Sequence, residues 1–268
     1  MRIFRSLSRL RGLILLSIVG SVSVNSASSL PAAGRNPEIS TGSLVREMVD
    51  LDRLSAFPDP GYRVFQFSSY DRRSKQFGGE NWFANSDGFG REPIPGVQEV
   101  LRAPEGDRPG LFLLADVEGP GAIVRTWTAR MNGEITMRLD GNEAPLFRGP
   151  ANDFLQRLYP ALNVPGGAED AVYRGAMTQR DAGYYPVPFA ERCRIEWEGS
   201  LEELHFYHIE FRRYEPGTRV RTFSASDLAE WRKDIEEACG FLRSPATMDS
   251  MAAGSSDDVR SVSANLAP

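Results

Sequence analysis

Alternation with a period of two runs through most of the chain beyond residue 60. In 134–140, Ile135, Met137 and Leu139 fall on one side, and Glu134, Thr136, Arg138 and Asp140 on the other. In 192–198, Cys193, Ile195 and Trp197 alternate with Arg192, Arg194, Glu196 and Glu198. Successive side chains of a strand point to opposite faces, so each run predicts a strand with one buried face. Residues 62–68, 122–129, 203–214 and 218–223 predict further strands. The continuous apolar run 111–115 (LFLLA) predicts one buried on both faces. Gly119-Pro120-Gly121 makes a tight corner, and Asp140-Gly141-Asn142 is a turn signal. Helical spacing shows in two places. Leu44, Met48, Leu51 and Leu54 predict a helix over 43–56, stopped by Pro58; Leu228, Trp231, Ile235 and Leu242 predict one over about 226–239, with Ser226 as cap and Gly240 as stop. Many short alternating strands separated by turns predict a mostly β fold, a jelly-roll β-sandwich with a few short helices.

The ends of the chain read differently. Arg2, Arg5, Arg9 and Arg11 precede a short apolar run, 12–24, and then small residues at Ser26 and Ala27. That order predicts a signal peptide over 1–27 and a secreted or periplasmic protein. The run is too short for a membrane helix of ~20 residues, so the mature chain is expected to have no stable membrane span. Residues 28–42 are Ser/Pro/Gly-rich and predict a flexible linker; 244–268 are Ser/Ala/Asp-rich and predict a disordered tail. The sandwich domain is then expected over 43–243.

Charge narrows the partners. Without the leader the chain keeps 27 basic against 36 acidic residues, a net charge of −9. Such a surface repels phosphate backbones, which argues against nucleic acid. The two cysteines, Cys193 and Cys239, either form a disulfide tying a strand to the late helix or remain two buried thiols.

Candidate chemistry lies in two blocks. One runs from Ser68 through Tyr70, Asp71, Arg72 and Gly79 to Trp82, Asn85 and Asp87; the other runs from Asp116 through Glu118 and the glycine corner to Arg125 and Trp127. Carboxylates, amides, arginines and indoles together are the inventory of a sugar pocket: polar groups bind hydroxyls and the indole packs on a ring face. Arg125 shares its strand face with Trp127, so that face lines a pocket or holds an arginine–carboxylate pair, with Glu118 or Asp116 as partner. Asp71, Glu80, Asp87, Asp116 and Glu118 are the carboxylates in loop-like settings, and glycoside hydrolysis needs two. Phosphate-cradling and nucleophile-elbow motifs are missing from the sequence. His205 and His208, three apart on a strand, do not suggest a shared metal, and no cofactor or metal is implied.

Several motifs occur here in one order: Ser69-Tyr70-Asp71-Arg72, residues 81–87 (NWFANSD), residues 118–127 (EGPGAIVRTW), Leu139-Asp140-Gly141 and residues 185–189 (YPVPF). Over roughly 60–225 this order resembles the domain-of-unknown-function 2961 group, which includes glycoside hydrolase family 172. The resemblance implies two tandem jelly rolls, trimer-based homo-oligomers, and retaining cleavage of α-linked furanosides of fructose or arabinose by two glutamates. It implies a sugar-binding role for Asp71, Arg72, Trp82, Asn85 and Asp87, and it carries over no catalytic glutamate. The expected function is an exported carbohydrate-active protein like the α-fructofuranosidases and α-arabinofuranosidases, cut short before the catalytic half. The alternative is a non-catalytic carbohydrate-binding or subunit-interaction module.

Overall fold

The computed structural model describes residues 38–69, 76–79 and 97–244. The leader 1–27, residues 28–37 of the expected linker, and the tail from 245 lie outside the described residues.

The described strands are β1 (Tyr62–Ser68), β2 (Glu99–Arg102), β3 (Gly110–Glu118), β4 (Gly121–Met131), β5 (Glu134–Leu139), β6 (Phe147–Pro150), β7 (Ala182–Gly183), β8 (Val187–Phe189), β9 (Arg192–Gly199) and β10 (Leu204–Tyr214). They form two antiparallel sheets. The first has the order β1-β10-β4-β7, with β8 also on β4; the second is β2-β3-β9-β5-β6. The fold is a β-sandwich, as the alternation predicts.

The apolar faces of both sheets share one core. Phe112, Ile135, Met137, Ile195 and Trp197 come from the second sheet, and Ile123, Tyr207, Ile209 and Phe211 from the first. Each such side chain contributes about 1.5–3 kcal/mol by leaving water. Trp197 stacks on Phe112 at 5.2 Å between centroids, and its indole N–H donates to the Asn132 carbonyl at 2.7 Å. The run 112–115 is buried throughout. Alternation breaks there because the β3–β9 register shifts between Leu113 and Ala115.

Four expectations need correction. The helix expected over 43–56 is α1 (Thr41–Glu47), followed by a 3₁₀ turn, Leu51–Ser55. It starts earlier because Ser40 and Ser43 form a reciprocal capping box. Ile39 and Ser40, inside the expected linker, are buried, and Ile39 bridges to Val220. That bridge is the only sheet-like pairing of the described segment 218–223, which is a strap rather than a strand: Ile39 bonds Arg219 and Arg221, and Phe223 bonds Pro188. The late helix is two pieces, α4 (Asp227–Glu230) and α5 (Arg232–Arg243), broken at Trp231. The Ser226 side chain caps nothing, and Gly240 lies inside α5.

Sequence reading also missed α2 (Ala151–Leu162) and the short α3 (Asp170–Tyr173). Phe154, Leu155, Leu158 and Tyr159 bury one face of α2 at helical spacing, a signal the flanking Pro150 and the internal Pro160 obscure. Cys193 and Cys239 are both buried free thiols. Among the described residues, no helix is long and apolar enough to cross a membrane.

Candidate functional site

The first sheet buries Thr126 and Thr128 of β4 and Tyr207, Ile209 and Phe211 of β10. The alternate residues therefore face away from the core. Register sets them side by side: Ser68 opposite His208 and His208 opposite Trp127 in one row, Gln66 opposite Glu210 and Glu210 opposite Arg125 in the next. The inward threonines are satisfied locally. Thr126 donates to the Leu155 carbonyl at 2.6 Å and Thr128 to the Phe206 carbonyl at 2.6 Å. This pins β4 and fixes where Arg125 and Trp127 stand.

On that outer face Arg125 is ion-paired to Glu210, not to Glu118 or Asp116. Its guanidinium carbon lies 5.8 Å from the Tyr184 ring centroid. Burial pulls the Arg125 pKa down, but Tyr184 and Glu210 outweigh it and raise the value. The indole of Trp127 meets the His208 ring edge-on at 5.2 Å. Burial, and then the Arg125 charge, lower the His208 pKa, with Glu210 opposing. The imidazole is thus neutral near pH 7, a donor on one nitrogen and an acceptor on the other. The face offers a fixed cation, a carboxylate, a neutral imidazole and two aromatic rings, which suits hydroxylated rings.

Of the sequence-predicted site residues, the structure brings Arg125 and Trp127 together on this face. Asp71, Arg72, Trp82, Asn85 and Asp87 lie outside the described residues, as does Glu80. The first block enters the described structure only at its start. Ser69 is 1% exposed, donates its N–H to the Tyr207 carbonyl at 3.2 Å, and accepts the Tyr207 N–H on Oγ at 3.1 Å. It therefore stands beside the His208–Trp127 row. The glycine corner does not join it. Tyr214 bonds the Pro120 carbonyl, seven residues along β10 from Tyr207 and about 23 Å away at strand rise. His208, Glu210 and Tyr184 were missed. The alternation of His208 and Glu210 with Tyr207, Ile209 and Phe211 was visible, but their neighbours were set by register.

The other described motif residues serve the scaffold. A Cβ on Gly119 would lie 2.6 Å from the Ala190 carbonyl oxygen, and one on Gly121 would lie 2.6 Å from Phe189 and 2.9 Å from the Arg212 carbonyl. Close backbone approach requires glycine at both. Asp140, at positive φ in the turn after β5, accepts the Glu191 and Arg192 N–H groups at 2.7 and 2.9 Å and the Thr222 hydroxyl. Burial pushes its pKa up, but Thr222 and the three N–H groups of Arg192, Glu191 and Ala190 prevail and lower it. Val187 and Phe189 of 185–189 pair with Ile123 and Gly121.

The second sheet's outer face is an arginine–carboxylate ladder. Arg192 grips Asp116 with two bonds, 2.7 and 2.6 Å; Arg194 reaches Asp116 at 2.8 Å and Glu196 at 2.8 Å; Arg138 reaches Glu196 at 2.9 Å. The Arg192 bond, against some burial, holds Asp116 below the usual carboxylate range. A carboxyl held ionised cannot serve as a general acid. Glu118 is 86% exposed at the β3 end, 4.0 Å from Arg213.

A family model described as the GH172 first beta-sandwich domain matches residues 60–231, well over half of the chain. No curated protein matches it.

Proposed function

Since this chain belongs to the GH172 family of glycoside hydrolases through that family's first β-sandwich domain, we propose that it serves an exported carbohydrate-active protein and contacts a furanoside glycan. The described part of the contact surface is the outer face of the first sheet. Arg125, held by Glu210, donates to sugar hydroxyls; Trp127 packs on a ring face; neutral His208 supplies one more donor or acceptor. Asp71, Arg72, Trp82, Asn85 and Asp87 are proposed as further sugar contacts on the strength of the resemblance. The observation that carries the reading is the family match together with the cross-strand rows that join Trp127 to His208 and Arg125 to Glu210.

A binding role without cleavage is the second reading. It is favoured by the described carboxylates that sequence singled out: Asp116 is bound by two arginines, and Glu118 is exposed at the β3 end with only a 4.0 Å contact to Arg213. Export and a trimer-based assembly belong to this proposal too.

The test is turnover and binding of an aryl α-furanoside by the full chain and by Arg125→Ala and Trp127→Ala. Hydrolysis with KM raised about tenfold or more in both variants supports a furanosidase. Saturable binding without released sugar, weakened in both variants, supports the binding module. Neither turnover nor binding by the wild type refutes the glycan reading.

A further inference from the structure

A groove of about 600 Å³ lies at the other end of β1 and β10, away from Ser69 and the Arg125–Trp127 face. It is lined by Phe57, Tyr62, Arg63, Arg213, Tyr214 and Glu215, among others. We propose that it is a second saccharide-binding surface, taking a neutral sugar residue. The inference rests on the glycan reading of the family and goes beyond it, because nothing in the motifs that carry the family resemblance falls among these lining residues.

Size, aromatic exposure and charge balance support it. The volume is within the ~300–1,000 Å³ usual for small-ligand pockets. Phe57 is 99% exposed, a phenyl ring held almost wholly in water. An exposed ring at the mouth of a groove gains from a ligand with an apolar C–H face and polar edges. The polar edges have partners to meet. The Arg63 side chain makes no ion pair or hydrogen bond among the described residues. The carboxylate nearest Arg213 is that of Glu118, at 4.0 Å between two exposed side chains, a contact that solvent screens. The Glu215 carboxylate packs on Gly61, where a Cβ would come within 2.9 Å of Oε1, so the glycine makes room for it. Glu215 in the lining, and Glu118 beside Arg213 just outside it, offset the two guanidiniums, which suits hydroxyls better than an anion.

The wall is rigid. Tyr62 and Tyr214 meet edge-on at 5.8 Å, and the Arg212 guanidinium lies 4.4 Å from the Tyr62 centroid, where Glu47 holds it at 2.7 Å. Arg212 is thus committed to structure, and Arg63 and Arg213 are left for the ligand.

The experiment uses the full chain and short neutral furanoside oligosaccharides, followed by NMR titration with light scattering on the same samples. Phe57→Ala touches no core contact, so it keeps the fold. The expected result is two binding events in the wild type. Phe57→Ala and Arg213→Ala each weaken one of them about tenfold, Phe57→Trp keeps it, and Trp127→Ala weakens only the other. Binding that is sensitive to Trp127→Ala but unchanged by Phe57→Ala and Arg213→Ala overturns the second surface and leaves the family reading intact. A drop in particle mass on Phe57→Ala, with sugar binding unchanged, makes the groove a contact between copies of the chain and also overturns it. Failure of the wild type to bind any of these sugars removes the glycan reading itself.

Discussion

Asp140 shows how a motif residue can serve the scaffold rather than the substrate. Its carboxylate ties the turn after β5 to the start of β9 and to the strap at Thr222. Asp140→Ala strands those N–H groups and is expected to cost about 1–3 kcal/mol in urea unfolding. The sign of the pH effect follows from the lowered pKa. The stabilisation is complete above the unfolded carboxyl value of about 3.9 and is lost as pH falls through the lower folded value. Wild type and variant should therefore differ in stability at pH 7 and converge in strong acid. His208 gives a second check at this scale. Burial and Arg125 depress its pKa while Glu210 raises it. An NMR titration should move the His208 midpoint up in Arg125→Ala and down in Glu210→Gln; movement the other way breaks the assigned pairing. The cysteines give a third. Burial pushes the Cys193 thiol up strongly and that of Cys239 up to about 11. Neither should react with a thiol reagent in the native protein, both should react after denaturation, and a reductant should leave Tm unchanged.

Elements were legible where one physical rule acted alone. β5 and β9 follow their alternation to within a residue, because one face is core and the other is mostly charged. The 111–115 run was legible as buried, although a register shift helps to bury it. The strap 218–223 reads as a strand because Val220 and Phe223 look inward, yet its backbone bonds single residues, Ile39 and Pro188, instead of running along a sheet edge. α2 escaped because prolines stand at its start and in its last turn. Arg125 and Trp127 could be named from sequence, but Glu210 and His208 could not be joined to them, because strand register is a property of the packed sheet. The corner between β3 and β4 carries this scale's prediction. Gly119→Ala forces a Cβ to within 2.6 Å of backbone. It should destabilise by about 1–3 kcal/mol and leave sugar affinity unchanged in whatever fraction stays folded.

At the scale of the whole molecule, a two-sheet sandwich presents one outer face as an arginine–carboxylate ladder and the other as a mixed aromatic and polar surface. The ladder's arginines and carboxylates are engaged with one another, so of the two outer faces the Arg125–Trp127 face is the one with aromatic and polar groups to offer a GH172 ligand. The proposed export has its own check: if the leader is cleaved as the sequence predicts, the mature protein begins near residue 28, read by N-terminal sequencing or intact mass. The four tryptophans test the central claim most directly. Trp197 is fully buried and bonded to Asn132, and Trp231 lies between Arg46 and Arg221, so both report on the scaffold. When a neutral furanoside oligosaccharide is titrated into the ¹⁵N-labelled chain, the indole N–H signal of Trp127 should shift and saturate while those of Trp197 and Trp231 stay in place. A Trp127 signal that does not move at saturating sugar contradicts the account.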